Sequence, residues 1–405
     1  MNHAFVVPRY GLDIVGGAEM AARMLAERLV AQLGWSVEIF TTCARDHMTW
    51  ADEYPEGDET INGVVVHRFA SSSGRPVEFF PYSERVLSAP GAATLHEADR
   101  FVELQGPGCP HLVDALADTA AAGRRDLFAF YPYLYTTTVR GLPAVGRRAL
   151  LHPAAHDEPA LHLPVYRRPM TGAAGLVFHT WGERDLVQRL FPVAQTPQVV
   201  LGLGFDEPGP DLGPGRHPAE VAGVGDRPYL LCLGRVDGFK GTTMLAGYFA
   251  AYKERRPGPL ALVLAGPVTA QPPAHPDVVV TGPVDEADKW SLLRQATALV
   301  NPSPHESFSL VLLEAFSTGR PVLVNGRCAA TAEHCQRSGG GLVFESYAQF
   351  EVVLDRLLAD ADLRRRLGDR GRRYVDRHFR WPTIIERYGR FVEHVASRVA
   401  AGAVL

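Results

Sequence analysis

The chain contains little cysteine, and its five cysteines are scattered at positions 43, 109, 232, 328 and 335. An odd, dispersed set of this kind excludes a disulfide scaffold, in which cysteines are dense and even in number. Cys232 also lies inside an apolar strand pattern, YLLCLG. We therefore expect reduced thiols and a cytoplasmic location.

The sequence also lacks a long hydrophobic run and an excess of charge of either sign. No apolar stretch approaches membrane-spanning length, and the N-terminus, MNHAFVVPRYG, lacks the hydrophobic region of a signal peptide. The formal net charge of −4 provides no general attraction for nucleic acid or anionic membranes. We expect no nucleic-acid partner, at most peripheral membrane contact, and a monomer or homodimer.

Hydrophobic residues make up 46% of the 405 residues, which is enough to fill the cores of two ordinary domains. A strand over 3–7, a loop that ends in Gly16-Gly17, a helix over 18–33 and a strand over 36–41 open the chain. This order predicts an α/β fold built on a doubly wound sheet. In the helix, the apolar stripe faces the core and Glu19 faces water.

The same alternation repeats after a stretch rich in Gly and Pro that has no periodic pattern. We predict two Rossmann-like domains, over 1–205 and 227–380, joined by a linker over 206–226. A final helix over 382–405 follows. Residues 71–125 interrupt the first domain with short helices, and an excursion of this length is usually functional or mobile.

Two cations follow a strand in the second domain, in the motif LCLGRVDGFKGT. Gly234-Arg235 ends the strand, and Lys240-Gly241 precedes a helix. Fixed cations beside a helix N-terminus are what a nucleoside diphosphate requires, because the free N–H groups and the cations both bind phosphate oxygens. The pair by itself is equally compatible with solvated loop cations.

Two carboxylates bracket the segment NPSPHESFSLVLLEAFSTGRPVLVN, residues 301–325. Pro302 and Pro304 keep the backbone extended, so that the helix is predicted to begin near Ser307 or Ser309. Glu306 then lies on the entry loop and Glu314 lies in the early helix, where both can face one anion-binding cleft.

Polar and aromatic residues cluster in two segments of the first domain. LLHPAAHDEP, residues 150–159, follows a strand directly and is compatible with loop capping or a metal site, although the spacing of its histidines and carboxylates fits metal binding poorly. FYPYLY, residues 130–135, has rings that suit either core packing or stacking on a sugar. Cys328, His334 and Cys335 lack a fourth zinc ligand and favour ordinary thiols.

Together these motifs resemble the retaining GT-B glycosyltransferases of family 4, also called glycosyl transferases group 1. Within this family they resemble a bacterial subgroup. The resemblance covers most of the chain and is strongest over 230–325. It implies two Rossmann-like domains that face each other across a cleft, a donor domain at the C-terminal side, and a final helix that crosses back to the N-terminal acceptor domain. It also implies transfer without a cofactor or bound metal.

The resemblance assigns roles to particular residues. Arg235, Lys240, Glu306 and His156 would act in catalysis, with the two cations neutralising the departing nucleoside diphosphate. The residues that would bind the donor are Gly16, Gly17, Gly234, Arg235, Lys240, Val284, Phe308, Ser309, Leu310 and Glu314. Contacts to the acceptor would come from Glu19, Asp157, Tyr133 and Tyr135.

The chain departs from the family pattern at two places near the predicted donor sugar. Ser309 stands where the family usually has Gly, and Asn325-Gly326-Arg327 stands where it usually has Gly-Gly. If close backbone approach matters there, the preference for the donor sugar differs.

The resemblance implies a metal-independent retaining glycosyltransferase that moves a hexose-type sugar from a UDP- or GDP-sugar to a small-molecule or glycan acceptor. The implied setting is bacterial biosynthesis of a specialised metabolite, such as an antibiotic, or of a surface polysaccharide. Two alternatives remain open: a GT-B sugar-nucleotide epimerase or hydrolase, and a non-catalytic protein that binds nucleotide sugars.

Overall fold

The computed structural model describes residues 1–14, 16–72, 74–124 and 126–402. Its strands are β1 (Asn2–Val6), β2 (Ser36–Thr42), β3 (Gly57–Ile61), β4 (Val64–Phe69), β5 (Leu127–Phe130), β6 (Ala149–Leu151), β7 (Gly175–Phe178), β8 (Gln198–Val200), β9 (Tyr229–Leu233), β10 (Ala261–Ala265), β11 (Val278–Gly282), β12 (Ala298–Asn301), β13 (Val322–Asn325) and β14 (Gly341–Phe344). Its α-helices are α1 (Gly17–Leu33), α2 (Phe79–Leu87), α3 (Leu95–Gln105), α4 (Pro110–Ala121), α5 (Thr136–Val145), α6 (Arg167–Gly172), α7 (Trp181–Leu190), α8 (Pro218–Ala222), α9 (Thr242–Arg255), α10 (Glu286–Gln295), α11 (Leu310–Ser317), α12 (Ala329–Ser338), α13 (Tyr347–Ala359), α14 (Ala361–His378) and α15 (Trp381–Ala400).

The chain divides into two units. Unit 1 contains Met1–Gly204 and the segment that begins at Trp381, and unit 2 contains Phe205–Arg380. The residues of the predicted linker, 206–226, lie inside unit 2, where they include α8. Arg216 in this stretch donates its backbone N–H to Asp288 Oδ1 at 2.8 Å, and this bond ties the stretch to α10.

Unit 1 is built on an eight-stranded sheet of order β3-β4-β2-β1-β5-β6-β7-β8. Its strands are parallel except for the antiparallel pair of β3 and β4. The central strand β5, LFAF, is buried along its whole length, as expected for a parallel strand covered by helices on both faces. Helix α15 joins this unit, and Tyr388 on it lies 2.9 Å from His3 Nε2, so the predicted return of the final helix is confirmed.

Unit 2 is built on a six-stranded parallel sheet of order β11-β10-β9-β12-β13-β14. Its core is formed by the apolar residues of β9, β10 and β12 and of the helices α9 and α13 that cover them. Two doubly wound sheets confirm the predicted fold class. None of the helices in the described ranges is both long and apolar enough to cross a bilayer.

Seven elements are absent from the sequence-based prediction, namely the strands β3 and β14 and the helices α5, α6, α7, α8 and α12. Strand β3, GDETI, is an edge strand whose first four residues are exposed, so it has no apolar alternation to reveal it. Helix α12, AATAEHCQRS, is short and mostly polar. Pairing with β4 and packing in unit 2 stabilise these segments, and a local pattern does not report such contacts.

In each sheet the strand order reverses at one position, the topological switch point, where successive strands are added on opposite sides of the first strand. In unit 1, β1 lies between β2 and β5; in unit 2, β9 lies between β10 and β12. Ligands of open α/β sheets bind outside the carboxyl ends of the strands at such points. The loops after β1 and β5, and those after β9 and β12, are therefore where the topology favours a site.

Candidate active site

The loop after β9 is held in shape by an aspartate that the sequence-based prediction missed. Asp237 accepts the backbone N–H of Lys240 at 2.6 Å and the side chain of Arg235. Its own backbone N–H donates to the Thr242 hydroxyl at 2.7 Å, which closes the loop onto the start of α9. Although burial raises the pKa of Asp237, the Lys240 N–H and the Arg235 guanidinium lower it overall. Arg235 and Lys240 are thus both anchored to one carboxylate.

The loops after β9 and β12 touch each other at the switch point of unit 2. The ammonium group of Lys240 donates to Glu306 Oε1 at 2.8 Å. Beside it, a Cβ atom added at Gly241 would lie 2.5 Å from the carbonyl oxygen of Pro302, and Gly241 has a φ of 73°. Only glycine allows this approach without strain. The structure therefore brings together the cationic motif and the Glu306 loop, 66 positions apart.

Helix α11 begins at Leu310, with Ser309 as its N-cap. Ser309 has φ 76° and ψ 84°, in the left-handed region that favours glycine. Its hydroxyl accepts the side-chain amide of Asn301 at 3.0 Å. The residue thus keeps the backbone conformation that Gly adopts easily, at a strain cost of about 1–2 kcal/mol. Phe308, a predicted donor contact, is buried, so its ring offers no surface to a ligand.

Glu314 pairs with a lysine on the neighbouring helix α10. Lys289 Nζ lies 2.8 Å from Glu314 Oε1, while Glu314 Oε2 is buried and has no hydrogen-bond partner among the described residues. Burial raises the pKa of Glu314, and the charge of Lys289 opposes this rise. A buried acceptor without a donor fits the expected role of holding ribose hydroxyls, because a hydroxyl would satisfy it. Lys289 was missed because its partner is 25 positions away.

The second departure from the family pattern also has a structural role. The Asn325 side-chain amide donates to the carbonyl oxygen of Pro302 at 3.0 Å, and its oxygen accepts the Arg327 N–H at 3.0 Å. Asn325 thereby fixes the backbone that faces Gly241. Val284, which follows β11, is half-buried near the expected base-binding strand end.

In unit 1 the glycine loop lies over a buried ion pair. Arg9 donates to Glu19 Oε1 from Nε at 3.0 Å and from Nη2 at 2.6 Å, and both side chains are buried. The prediction that Glu19 faces water is therefore wrong, because the loop before α1 covers this side of the helix. A Cβ atom at Gly16 would lie 2.2 Å from Glu19 Oε2, whereas one at Gly17 would meet nothing within 4 Å.

The segment after β6 carries a small hydrogen-bonded group. His156 Nε2 lies 3.4 Å from Glu158 Oε2, and the Tyr133 hydroxyl donates to Glu158 Oε1 at 2.7 Å. Asp157 points away from this group to His162, at 2.8 Å. Glu158 thus contacts His156, while Asp157, a predicted acceptor contact, pairs with His162.

The two candidate tyrosines differ in exposure. The ring of Tyr133 is buried and packs edge-on against Tyr166 at 4.8 Å, so it offers no face for stacking on an acceptor, contrary to expectation. Tyr135 is half-buried and lies edge-on to Trp50 at 5.2 Å. Burial raises the pKa of Tyr135 to about 12, which keeps its hydroxyl a hydrogen-bond donor near neutral pH.

The histidines and cysteines considered as metal ligands have other partners. His152 is buried and stacks on Tyr131 at 4.0 Å, and His334 Nδ1 lies 3.1 Å from the Tyr374 hydroxyl. Within the described ranges, no three His, Cys, Asp or Glu residues are arranged to hold a metal ion. All five cysteines are buried and unpaired.

Comparison with known proteins identifies the region that contains this geometry. Residues 227–360 match the model of the family described as Glycosyl transferases group 1. The matched residues lie within unit 2. The match spans both the Lys240 and the Glu306 loops, and it confirms the resemblance that the motifs predicted.

Relatives and solved structures are similar to this chain beyond the limits of unit 2. A D-inositol 3-phosphate glycosyltransferase of Arthrobacter sp. strain FB24 is 27% identical over 398 residues, which cover 91% of this chain and 87% of the relative. Sucrose-phosphate synthase from Thermosynechococcus elongatus has a TM-score of 0.69 at 19% identity, covering 98% and 99% of the two chains. Anabaena HepE in complex with UDP and glucose has a TM-score of 0.67 at 15% identity, covering 97% and 100%. The two structures share the GT-B fold, and the relatives support an enzyme of the transferase class.

Proposed function

We propose that this protein is a retaining glycosyltransferase that moves a hexose-type sugar from a UDP- or GDP-sugar to a small-molecule or glycan acceptor. The observation that carries the proposal is the 2.8 Å contact between Lys240 and Glu306. It brings a cation for the diphosphate next to a carboxylate for the sugar hydroxyls, at the sheet position where ligands of this fold bind.

The charges of unit 2 suit a departing diphosphate. Negative charge that builds on the leaving oxygen is stabilised by Lys240, Arg235 and the N-terminus of α11, which are already in place before the reaction. Lys240 and Arg235 are each paired with a carboxylate, Glu306 and Asp237 respectively. Donor phosphates would take over these cations and leave Glu306 to accept hydroxyl groups of the sugar. Because two cations supply the charge, the proposal requires no metal ion.

The acceptor side belongs to unit 1. There, His156 with Glu158, the glycine loop at Gly16 and the half-buried Tyr135 follow β6, β1 and β5. The relative that acts on inositol 3-phosphate suggests cyclitols and their phosphates as the first acceptors to test. A role in specialised-metabolite or surface-polysaccharide biosynthesis is part of the same proposal.

The donor is identified by a thermal-shift screen of UDP-, GDP-, ADP- and dTDP-sugars, followed by assays of sugar transfer to a panel of cyclitols and glycans. Lys240→Ala and Glu306→Gln are expected to lower kcat by about 100- to 1000-fold, because each removes a group that binds charge or hydroxyls at the reacting centre. Arg365→Ala is the matched control, since Arg365 is an exposed cation of unit 2 on α14.

Three results would contradict the proposal. Full activity of the Lys240 and Glu306 variants would show that the chemistry takes place elsewhere. Formation of an epimer or a free sugar from the donor alone, with no transfer to any acceptor, would identify an epimerase or hydrolase. A protein that binds the donor and transforms nothing would be a binding protein.

A further inference from the structure

Glu183 is a buried carboxylate at the start of α7 that connects two segments of unit 1. It is the third residue of the helix, and its backbone N–H donates to the N-cap hydroxyl of Thr180 at 3.1 Å. Its carboxylate bonds to groups outside the helix. Oε1 accepts the backbone N–H of Ala155 at 2.9 Å, and Oε2 accepts that of His179 at 2.7 Å. The carboxylate therefore ties the loop after β6 to the end of β7.

The loop that Glu183 holds has a strained backbone. Ala154 has a φ of 51°, a left-handed conformation that costs an L-residue about 1–2 kcal/mol. Such a conformation persists only where the surroundings fix it. On one side of Ala154, the Pro153 carbonyl oxygen accepts the Tyr133 N–H at 3.1 Å, and on the other side the Ala155 N–H donates to Glu183. The strained residue, Ala154, is thus adjacent to the residue that Glu183 holds, Ala155.

His156 directly follows Ala155 in this loop. Its ring contacts Glu158 at 3.4 Å, and Glu158 is itself held by the buried Tyr133 hydroxyl at 2.7 Å. His156 is therefore positioned from two sides, by Glu158 at the ring and by Glu183 at the backbone. Burial raises the pKa of Glu183 to about 7, although the backbone N–H groups bonded to it and the charge of His156 partly oppose this rise.

We propose that Glu183 is a positioning residue that, through its hydrogen bond to the Ala155 N–H, fixes the loop that presents His156 to the transferred sugar. The proposal rests on the proposed function only for the role of His156; the positioning itself is a property of unit 1 alone. Neither the motif GERD nor its helical spacing reveals this role, because the partner Ala155 is 28 positions earlier in the chain.

Comparison with Glu97, a carboxylate at the same position of another helix, distinguishes positioning of His156 from a general structural role of Glu183. Glu97 is likewise the third residue of its helix, α3, but its carboxylate returns to its own N-cap, the Thr94 N–H, at 3.0 Å. Glu97→Ala and Glu183→Ala both remove the carboxylate of the third residue of a helix, and only the second releases the His156 loop. Glu183→Gln keeps the size of the side chain and one acceptor, and it serves if the alanine variant does not fold.

The positioning is measured without any substrate by NMR of protein with isotopically labelled histidine, in which the His156 ring signal is assigned by its loss in His156→Gln. At constant pH, Glu183→Ala is expected to move and broaden this signal, Glu183→Gln to move it less, and Glu97→Ala to leave it in place. A folded Glu183→Ala or Glu183→Gln protein with an unchanged His156 signal would overturn the proposal.

The consequence for turnover is measured by a double-mutant cycle with the donor found in the screen. Glu183→Ala is expected to lower kcat by about 10- to 100-fold with a smaller change in KM, as small displacements of a reacting group do. In His156→Ala the same change should have almost no further effect, because both act through one ring. Multiplying effects would overturn the proposal. If His156→Ala alone leaves kcat intact, the proposed role of His156 fails, while the NMR result still stands.

Discussion

At the scale of single residues, the site depends on side chains whose partners lie far away in the sequence. Lys240 pairs with Glu306, and Glu314 pairs with Lys289. Asp237 accepts the Lys240 N–H and so fixes the conformation of the cationic loop. Charged groups held in this way lose little freedom when a ligand binds, which is the usual source of electrostatic stabilisation in enzymes. Ser309 is the residue of the site that departs most clearly from the family pattern, because it adopts a left-handed backbone where the family usually has Gly.

Replacement of Ser309 tests whether its left-handed backbone is imposed by its surroundings. Ser309→Gly should change the free energy of unfolding of unit 2 by less than about 1 kcal/mol, because relief of strain offsets the lost Asn301 bond and the greater chain entropy of glycine. Ser309→Val should destabilise by about 2–3 kcal/mol, since a β-branched residue is poorly tolerated at positive φ. Urea unfolding of both variants measures the difference, and equal stabilities would contradict the assigned conformation.

At the scale of elements, two loops meet at the carboxyl edge of the unit 2 sheet. The loop before α9 approaches the loop after β12 so closely that Gly241 lies against the backbone of Pro302. Asn325, at the end of β13, donates to the same carbonyl oxygen. The segments that follow β9, β12 and β13 thus meet at the Pro302 carbonyl group. The geometry of this contact determines the position of Lys240 relative to Glu306.

Two glycines of the same loop provide a test of this contact. Gly241→Ala should destabilise unit 2 by about 3 kcal/mol and weaken donor binding, because its Cβ would clash with the Pro302 carbonyl and its φ is positive. Gly238→Ala is the control, since a Cβ there meets nothing within 4 Å, and its effect should stay within about 0.5 kcal/mol. Melting temperatures and donor-induced thermal shifts of the two variants distinguish them; similar losses would show that the loops do not meet in this way.

At the scale of the whole molecule, buried histidines are distributed over both units. Burial lowers the pKa of His3 to about 3, and those of His179 and His334 to about 4. The pKa of His152 is also lowered well below its usual value by burial. These rings are neutral in the folded protein, whereas they take up protons in the unfolded chain below about pH 6.5.

Stability should therefore fall as the pH drops from about 6.5 to 4.5. Each histidine that stays neutral costs about 1.4 kcal/mol per pH unit in this window, because the unfolded chain binds the additional proton. Glu183 and Glu314 oppose the fall, since their raised pKa values make the folded state hold a proton more readily over part of the same window. Because four histidines oppose two carboxylates, stability should still decrease as the pH falls through this window.

This dependence is measured by urea unfolding between pH 8 and 5, with His3→Gln and His334→Gln as variants that each remove one titrating ring. Both should show a shallower loss of stability at low pH than the unchanged chain. A stability that stays flat or rises as the pH falls would contradict the burial of these histidines.

The sequence by itself determined the α/β class, the approximate bounds of most strands and helices, and the motifs that match the glycosyl transferases group 1 model. These features are local, because apolar periodicity, Gly and Pro punctuation and short motifs are written within a few turns of the chain. Only the tertiary structure decided the partners: Glu306 for Lys240, Lys289 for Glu314, Arg9 for Glu19, and the loop of His156 for Glu183. Their separations reach 66 positions, and the packing of sheets and helices, which no local pattern encodes, sets which of these groups meet.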